Sequence, residues 1–245
     1  MITALFHAVA ASARLALLVG AVVLGAQVQA QDVLQSREIH VTSDPYDFEA
    51  TVLMRFPLPL VFGGVLPTSG EQTSRARAPF LQEKRQDGQV TYHVDQAAYE
   101  DDFDGFVDYL LKDYRFSVDG REIEPLLGAL SLVPKKGAVM PPEGYAETLS
   151  LVDICTAFPG REAVADLEVV LLVYLPDTVP SDRLTIAVTA PEGVLSNTPG
   201  PVTTFTDHRG DALQSVVHVG FAPPAVVMDG VQDSGFWGWL WGASE

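Results

Sequence analysis

The sequence contains one cysteine, Cys155, so no disulfide can form within the chain. The chain is nevertheless long enough to bury a large apolar core, and packing alone therefore has to hold its fold. Cys155 ends an apolar segment, and no cationic residue stands beside it to stabilise a thiolate. We therefore interpret this cysteine as a small buried hydrophobe.

Basic residues are scarce as well. Fifteen Lys and Arg stand against 32 Asp and Glu, which gives a formal net charge of −17 at pH 7. A surface of this sign repels polyanions, so we expect no nucleic-acid partner and no attraction to an anionic membrane through charge. The charge is compatible with a cationic ligand or a basic protein.

Long hydrophobic runs are also missing, since no run reaches the roughly 20 residues that a membrane-spanning helix needs. One apolar stretch, residues 15–26, follows Arg14 and precedes Val28-Gln29-Ala30. A positive start, a short apolar run and a small-residue exit are typical of a secretory signal peptide. We predict a signal over residues 1–30 and hence a periplasmic or extracellular protein, with an uncleaved N-terminal anchor as the alternative.

Catalytic and cofactor motifs are absent from the sequence. It has no Gly-x-Ser-x-Gly, no His-Glu-x-x-His, no P-loop and no dinucleotide fingerprint. Asp207, His208 and Ser215 resemble part of a catalytic triad, but a triad is defined by geometry and such coincidences are common. We predict a non-enzymatic protein without a cofactor, and an envelope-polymer hydrolase built on paired carboxylates remains the rival.

Metal-ligand spacing is also missing. After residue 30 the histidines are His40, His93, His208 and His218, and none has another histidine at i+2, i+3 or i+4. Residues 100–105 resemble the first half of a calcium loop, but its twelfth position is Leu111 where a carboxylate is required. Metal ligands can converge from distant strands, so the sequence leaves a metal site, and a periplasmic metal-delivery role, open.

What the sequence does have is a series of short apolar runs separated by Pro and Gly. Residues 90–94 and 184–189 alternate between apolar and polar, as half-buried strands do. Leu167–Leu175 is nearly continuous apolar sequence, which favours a strand covered on both faces. Asp119-Gly120 supplies the positive φ angles of a tight hairpin between residues 115–118 and 121–123. These features predict an Ig-like antiparallel β-sandwich.

One segment departs from the β pattern. Its apolar residues recur at spacings of three and four, which indicates one face of a helix over residues 95–112, with Asp95 as the N-cap. They are Tyr99, Phe103, Phe106, Val107, Leu110, Leu111 and Tyr114. The predicted fold class is therefore mainly β with one inserted α-helix.

The C-terminal end is rich in aromatic residues. Pro223-Pro224 opens a stretch with linker character, and Phe236, Trp237, Trp239 and Trp241 follow within residues 235–242. Tryptophan favours bilayer and protein interfaces. We predict that these four side chains contact a membrane surface or a membrane-protein partner; packing back onto the sandwich core is the alternative.

This tail, Phe236-Trp-Gly-Trp-Leu240, resembles the segment that ends the N-terminal extracytoplasmic region of HupE/UreJ-type membrane proteins. The Val-Asp-Gly hairpin at residues 118–120 and the apolar strand at 169–175 are compatible with that family. The resemblance implies association with metal uptake or with hydrogenase and urease assembly. The membrane domain that carries transport in the family has no counterpart here, so no transport residue is transferred.

These observations divide the chain into a signal peptide (1–30), a β-sandwich (31–221) and a linker with its aromatic tail (222–245). The expected function is that of a non-enzymatic binding or accessory module at the outer face of the cytoplasmic membrane. It would serve a metal-uptake or metalloenzyme-assembly system as a peripheral partner.

Overall fold

The computed structural model describes residues 36–43, 49–62, 79–86, 89–135, 162–179, 182–191, 200–210 and 213–229. Within these ranges the strands are β1 (Ser36–Ser43), β2 (Ala50–Pro57), β3 (Leu81–Gln86), β4 (Gln89–Val94), β5 (Tyr114–Val118), β6 (Arg121–Ile123), β7 (Leu126–Pro134), β8 (Leu167–Leu175), β9 (Leu184–Val188), β10 (Val202–Asp207), β11 (Gln214–Val219) and β12 (Val226–Met228). The helices are α1 (Gln96–Asp101) and α2 (Phe103–Leu111), with short 3-10 turns at Leu58–Leu60 and Val164–Asp166. The protein is mainly β, as predicted.

The largest sheet has six strands in the order β11-β10-β1-β2-β8-β7. Its neighbours are antiparallel except β1 and β10, which run parallel with Ser36 opposite Val202 and Val41 opposite Asp207. Two strands far apart in the chain thus lie side by side. Everything attached to the end of β10 is thereby brought next to the end of β1.

A second sheet has the order β12-β9-β5-β6, and β3 and β4 form a separate hairpin. One continuous cluster of buried side chains joins the two larger sheets, with Ile39, Met54 and Leu171 from one and Phe116 and Ile186 from the other. Each fully buried side chain of this size contributes roughly 1.5–3 kcal/mol. This shared core makes the fold a β-sandwich.

Strand β8 is buried on both faces, as its apolar run predicts. Val169 and Leu171 belong to the core between the sheets, whereas Val170 lies in a second cluster on the opposite face with Leu53 and Val133. A strand with one solvated face would alternate with polar residues. The large sheet therefore has an inner face toward the second sheet and an outer face that is also buried around β2, β7 and β8.

The predicted helix is present but is not continuous. Asp95 caps α1 by accepting from the amides of Ala97 and Ala98, as expected. At Asp102 the backbone leaves the helical region (φ −139°, ψ 63°), and its carboxylate caps α2 by accepting from the Gly105 amide at 3.1 Å. The inserted helical segment is thus confirmed but is divided at Asp102, because an Asp side chain that binds a nearby backbone amide competes with the helical ladder.

The structure also bears on the predicted hairpin turn and on the predicted end of the sandwich. Asp119 and Gly120 have φ values of 50° and 81°, and β5 pairs with β6 across them, which confirms the hairpin. Val226 and Met228 are buried in β12, which pairs with β9. The sandwich therefore extends past residue 221, where we placed its end, because the Pro pair leads into an edge strand.

We predict that Gly120→Ala lowers the free energy of unfolding by about 1–2 kcal/mol, since a Cβ is disfavoured at positive φ. The control is Asp119→Asn, which should change stability little because Asn tolerates the left-handed region. Urea denaturation of the full chain measures both. Equal effects of the two substitutions would contradict the turn geometry.

Candidate functional site

The parallel pairing of β1 and β10 brings together two histidines 168 residues apart. His40 lies on β1 opposite Thr206, and His208 directly follows β10. The His208 amide donates to the Val41 carbonyl at 2.8 Å, so the β1–β10 contact continues one residue beyond the strand. His40 Nδ1 and His208 Nε2 are 3.0 Å apart.

Glu38 completes this cluster from the same face of β1, two residues before His40. Its Oε2 atom lies 3.6 Å from His40 Nε2, on the side of the ring opposite to His208. The His40 side chain is only 3% exposed and that of Glu38 is 12% exposed. The 3.6 Å separation is that of an ion-pair contact and not of a hydrogen bond, so the described hydrogen bond of the His40 ring is the one between its Nδ1 and His208 Nε2.

Burial lowers the pKa of His208 below its ordinary value, because the imidazolium cation loses solvation. A positive charge on the adjacent His40 ring lowers this pKa further, and the Asp207 carboxylate partly offsets both effects. His208 is therefore a neutral imidazole at neutral pH. Neutral imidazole is the form that accepts hydrogen bonds and binds metal ions.

A buried ion pair lies beside the cluster on the same outer face. Arg55 stands opposite Glu38 in the β1–β2 register, but its Nε and Nη2 donate to Glu168 Oε2 at 2.8 and 2.6 Å. Glu38 Oε2 accepts no hydrogen bond from any side chain or backbone group of the described residues. The described side chain with a basic nitrogen close to this oxygen is His40, at 3.6 Å.

The triad-like combination of Asp207, His208 and Ser215 is not assembled among the described contacts. Asp207 Oδ1 accepts from Arg209 Nε at 3.0 Å, and its Oδ2 accepts from Arg209 Nη2 at 2.9 Å. Ser215 instead lies near Thr206, with their hydroxyl oxygens 3.5 Å apart. Asp207 thus neutralises a buried arginine, and His208 faces another histidine.

The other histidines of the described residues lie elsewhere. His93 Nε2 is 3.1 Å from the Thr91 hydroxyl, and His218 packs edge-on against Phe205. Sequence spacing could not reveal the His40–His208 pair, because only the register of β1 and β10 creates it. Cys155 and the predicted contact residues Phe236, Trp237, Trp239 and Trp241 lie outside the described residues.

Strand β11 is an edge of the large sheet and has an exposed apolar surface. Val216, Val217 and Val219 are 42%, 59% and 76% exposed, and Leu213 just before the strand is 55% exposed. The strand sequence QSVVHV contains no Lys, Arg, Asp or Glu. Edge strands usually carry charge or proline that prevents pairing with another chain.

No family model, curated protein or solved structure matches this chain. Within the described ranges, no helix has the length and hydropathy that crossing a bilayer requires.

We predict that Glu168→Gln lowers the free energy of unfolding by about 3 kcal/mol, because it leaves the buried Arg55 charge without its counter-ion. The matched control is Glu83→Gln, which breaks the exposed Arg85–Glu83 pair and should cost far less, because solvent screens both charges. Urea denaturation at neutral pH measures both. Equal costs would show that the Arg55–Glu168 pair is not desolvated.

We also predict that stability falls as the pH drops below about 6.5, the ordinary histidine value. The folded state holds His208 with a lowered pKa, so the unfolded chain binds the proton more readily and acid favours unfolding. The His208 contribution is complete above pH 6.5 and is lost as the pH falls through the folded pKa.

His208→Gln should therefore reduce the loss of stability between pH 7.5 and 5, as measured by urea denaturation at each pH. His218→Gln is the control and should lose as much stability as the unmodified chain. The same pH dependence in all three proteins would assign it to groups other than His208.

Proposed function

We propose that this protein is an exported, non-enzymatic binding module that serves a membrane-bound partner at the outer face of the cytoplasmic membrane. The observation that carries the proposal is the exposed apolar edge at β11. A soluble domain normally protects such an edge, because its unpaired backbone groups and valines attract a further strand. An edge left in this state is suited to receive a partner segment.

The occupant that fits β11 is an extended segment of a membrane-anchored protein. Such a segment adds a strand to the sheet, so that its backbone pairs with β11 and its apolar side chains cover the exposed valines. The net charge of −17 favours a segment flanked by Lys or Arg and opposes a second copy of this acidic chain.

The aromatic tail supplies the second contact in this proposal. This tail contains Phe236, Trp237, Trp239 and Trp241. Burial of a Phe-sized side chain away from water contributes roughly 1.5–3 kcal/mol of free energy for each. Residues 235–245 contain no Lys or Arg, so attraction to anionic lipid does not contribute. The likeness of this tail to HupE/UreJ-type proteins supports a partner concerned with metal uptake or metalloenzyme assembly.

The test of the β11 contact is binding of the purified chain to washed native membranes. Val217→Lys should weaken binding about tenfold, equivalent to ~1.4 kcal/mol, because it places a charge on the receiving edge. Val179→Lys is the matched control, since Val179 is 50% exposed but lies outside β11. Binding that survives Val217→Lys, or that persists after protease treatment of the membranes, would refute a protein partner at this edge.

Deletion of residues 235–245 tests the tail separately. We expect the trimmed chain to keep the stability of the full chain in urea and to move from the membrane fraction to the soluble fraction. A large loss of stability would show that the tail packs on the core. Unchanged stability with unchanged membrane fractionation would show that the tail is not the attachment.

A further inference from the structure

We infer that Arg37 and Thr203 form a binding site for a small monovalent carboxylate between the two larger sheets. This site goes beyond the proposed partner contact and does not depend on it. The observation behind it is a buried positive charge that the described residues leave without a counter-ion.

Three arginine side chains are buried among the described residues, and they differ in their partners. Arg55 pairs with Glu168, and Arg209 pairs with Asp207. Arg37 is the least exposed of the three, at 3%, yet its Nε and Nη1 atoms have no hydrogen-bond partner and no ion pair within the described ranges. An arginine keeps its positive charge in proteins, and a buried charge is normally paired. The fold therefore holds a cation whose donors remain available.

The contact of Arg37 with Tyr114 does not use these donors. The guanidinium carbon lies 5.6 Å from the centre of the Tyr114 ring. A cation–π contact uses the face of the guanidinium group, whereas its N–H bonds point outward in the plane. Burial raises the pKa of Tyr114, so the ring stays a neutral phenol at neutral pH and supplies no counter-charge.

Thr203 adds a second donor at the same place. It lies directly opposite Arg37 in the parallel β1–β10 register, so both side chains point to the same face of the sheet. That face is the inner one, because Ile39 and Phe205, two residues further along each strand, belong to the core between the sheets. Thr203 is fully buried, and its hydroxyl has no hydrogen-bond partner in the described part of the chain. A guanidinium and a hydroxyl in adjacent positions can donate to one anion.

The acidic residues nearest to Arg37 along the two strands are directed elsewhere. Glu38 follows Arg37 in β1, and its side chain points to the opposite face, toward His40. Asp113 precedes Tyr114, and its carboxylate lies 3.3 Å from the Lys112 ammonium group. A ligand is therefore the group that can compensate the charge of Arg37.

The donors select the class of anion. The parallel N–H bonds of a guanidinium group match the two oxygens of a carboxylate. One buried positive charge compensates one negative charge, so a dianion such as sulfate would bring a second, unpaired charge into the interior. Formate and acetate are small, planar and monovalent, and they meet both conditions.

The position of the pair in the fold allows such an ion to enter. Ser36 and Val202 lie one residue before Arg37 and Thr203 and are paired with each other at the start of β1 and β10. Val202 is 39% exposed and Ser36 is half-buried. The donors are therefore one residue inside the end of the sandwich, close to solvent.

The test follows the arginine Nε–H resonances of the full chain by ¹⁵N NMR during titration with sodium formate and sodium acetate. We expect the Arg37 resonance, identified by its loss in Arg37→Gln, to shift saturably. The resonances of Arg55 and Arg209 are internal controls and should not shift, because both groups already have carboxylate partners. Sodium sulfate at equal ionic strength should bind at least about tenfold more weakly, because its second charge stays uncompensated.

A variant that keeps the buried charge tests the second donor. Thr203→Val preserves the shape of the side chain and should weaken acetate binding about tenfold, because a hydrogen bond to a charged group is lost. Thr204→Val, the next residue on the opposite face of β10, is the matched control and should leave the affinity unchanged. Absence of a saturable shift at Arg37, an equal shift at all three arginines, or equal acetate affinity in the two threonine variants would overturn the inference.

Discussion

The buried guanidinium of Arg209 connects the two halves of the sandwich. Its Nε and Nη2 donate to the two carboxylate oxygens of Asp207 on the large sheet. Its Nη1 and Nη2 also donate to the carbonyls of Asp182 and Met228 beside the second sheet. The Arg209 side chain is fully buried, so removing either member of the Arg209–Asp207 pair would leave the other charge buried without a counter-ion. In a chain that cannot form an internal disulfide, this link supplements the apolar core.

The same link determines where His208 points. Asp207 and Arg209 are engaged between the sheets, and His208 stands between them in sequence with its ring against His40 of the outer face. Successive side chains of an extended segment point to opposite faces. The structural ion pair on the inner side and the histidine pair on the outer side are therefore consequences of one backbone path.

The elements that sequence reasoning found are those with a local signal. The apolar run of β8, the Asp119-Gly120 turn and the Asp95 cap each express a preference within a few residues. Strands β3 and β10 lacked such a signal. LQEKRQ is charged and mostly exposed. VTTFTD contains three threonines, two of them buried, and only Val202 and Phe205 are apolar. The β1–β10 pairing could not be predicted, because it depends on the complete sheet. The His40–His208 pair follows from that pairing, so it could not be predicted either.

The two edges of the large sheet differ in the features that oppose pairing with a further strand. Strand β7 has a bulge between Leu127 and Ala129, where Gly128 lies under the Tyr174 ring, and it ends at Pro134. Bulges and prolines at an edge oppose pairing with another strand. Strand β11 has neither within Gln214–Val219, and its register with β10 is unbroken over six pairs. A regular, uncharged edge with exposed valines favours pairing with a further strand. The β7 edge therefore opposes extension of the sheet, whereas the β11 edge permits it.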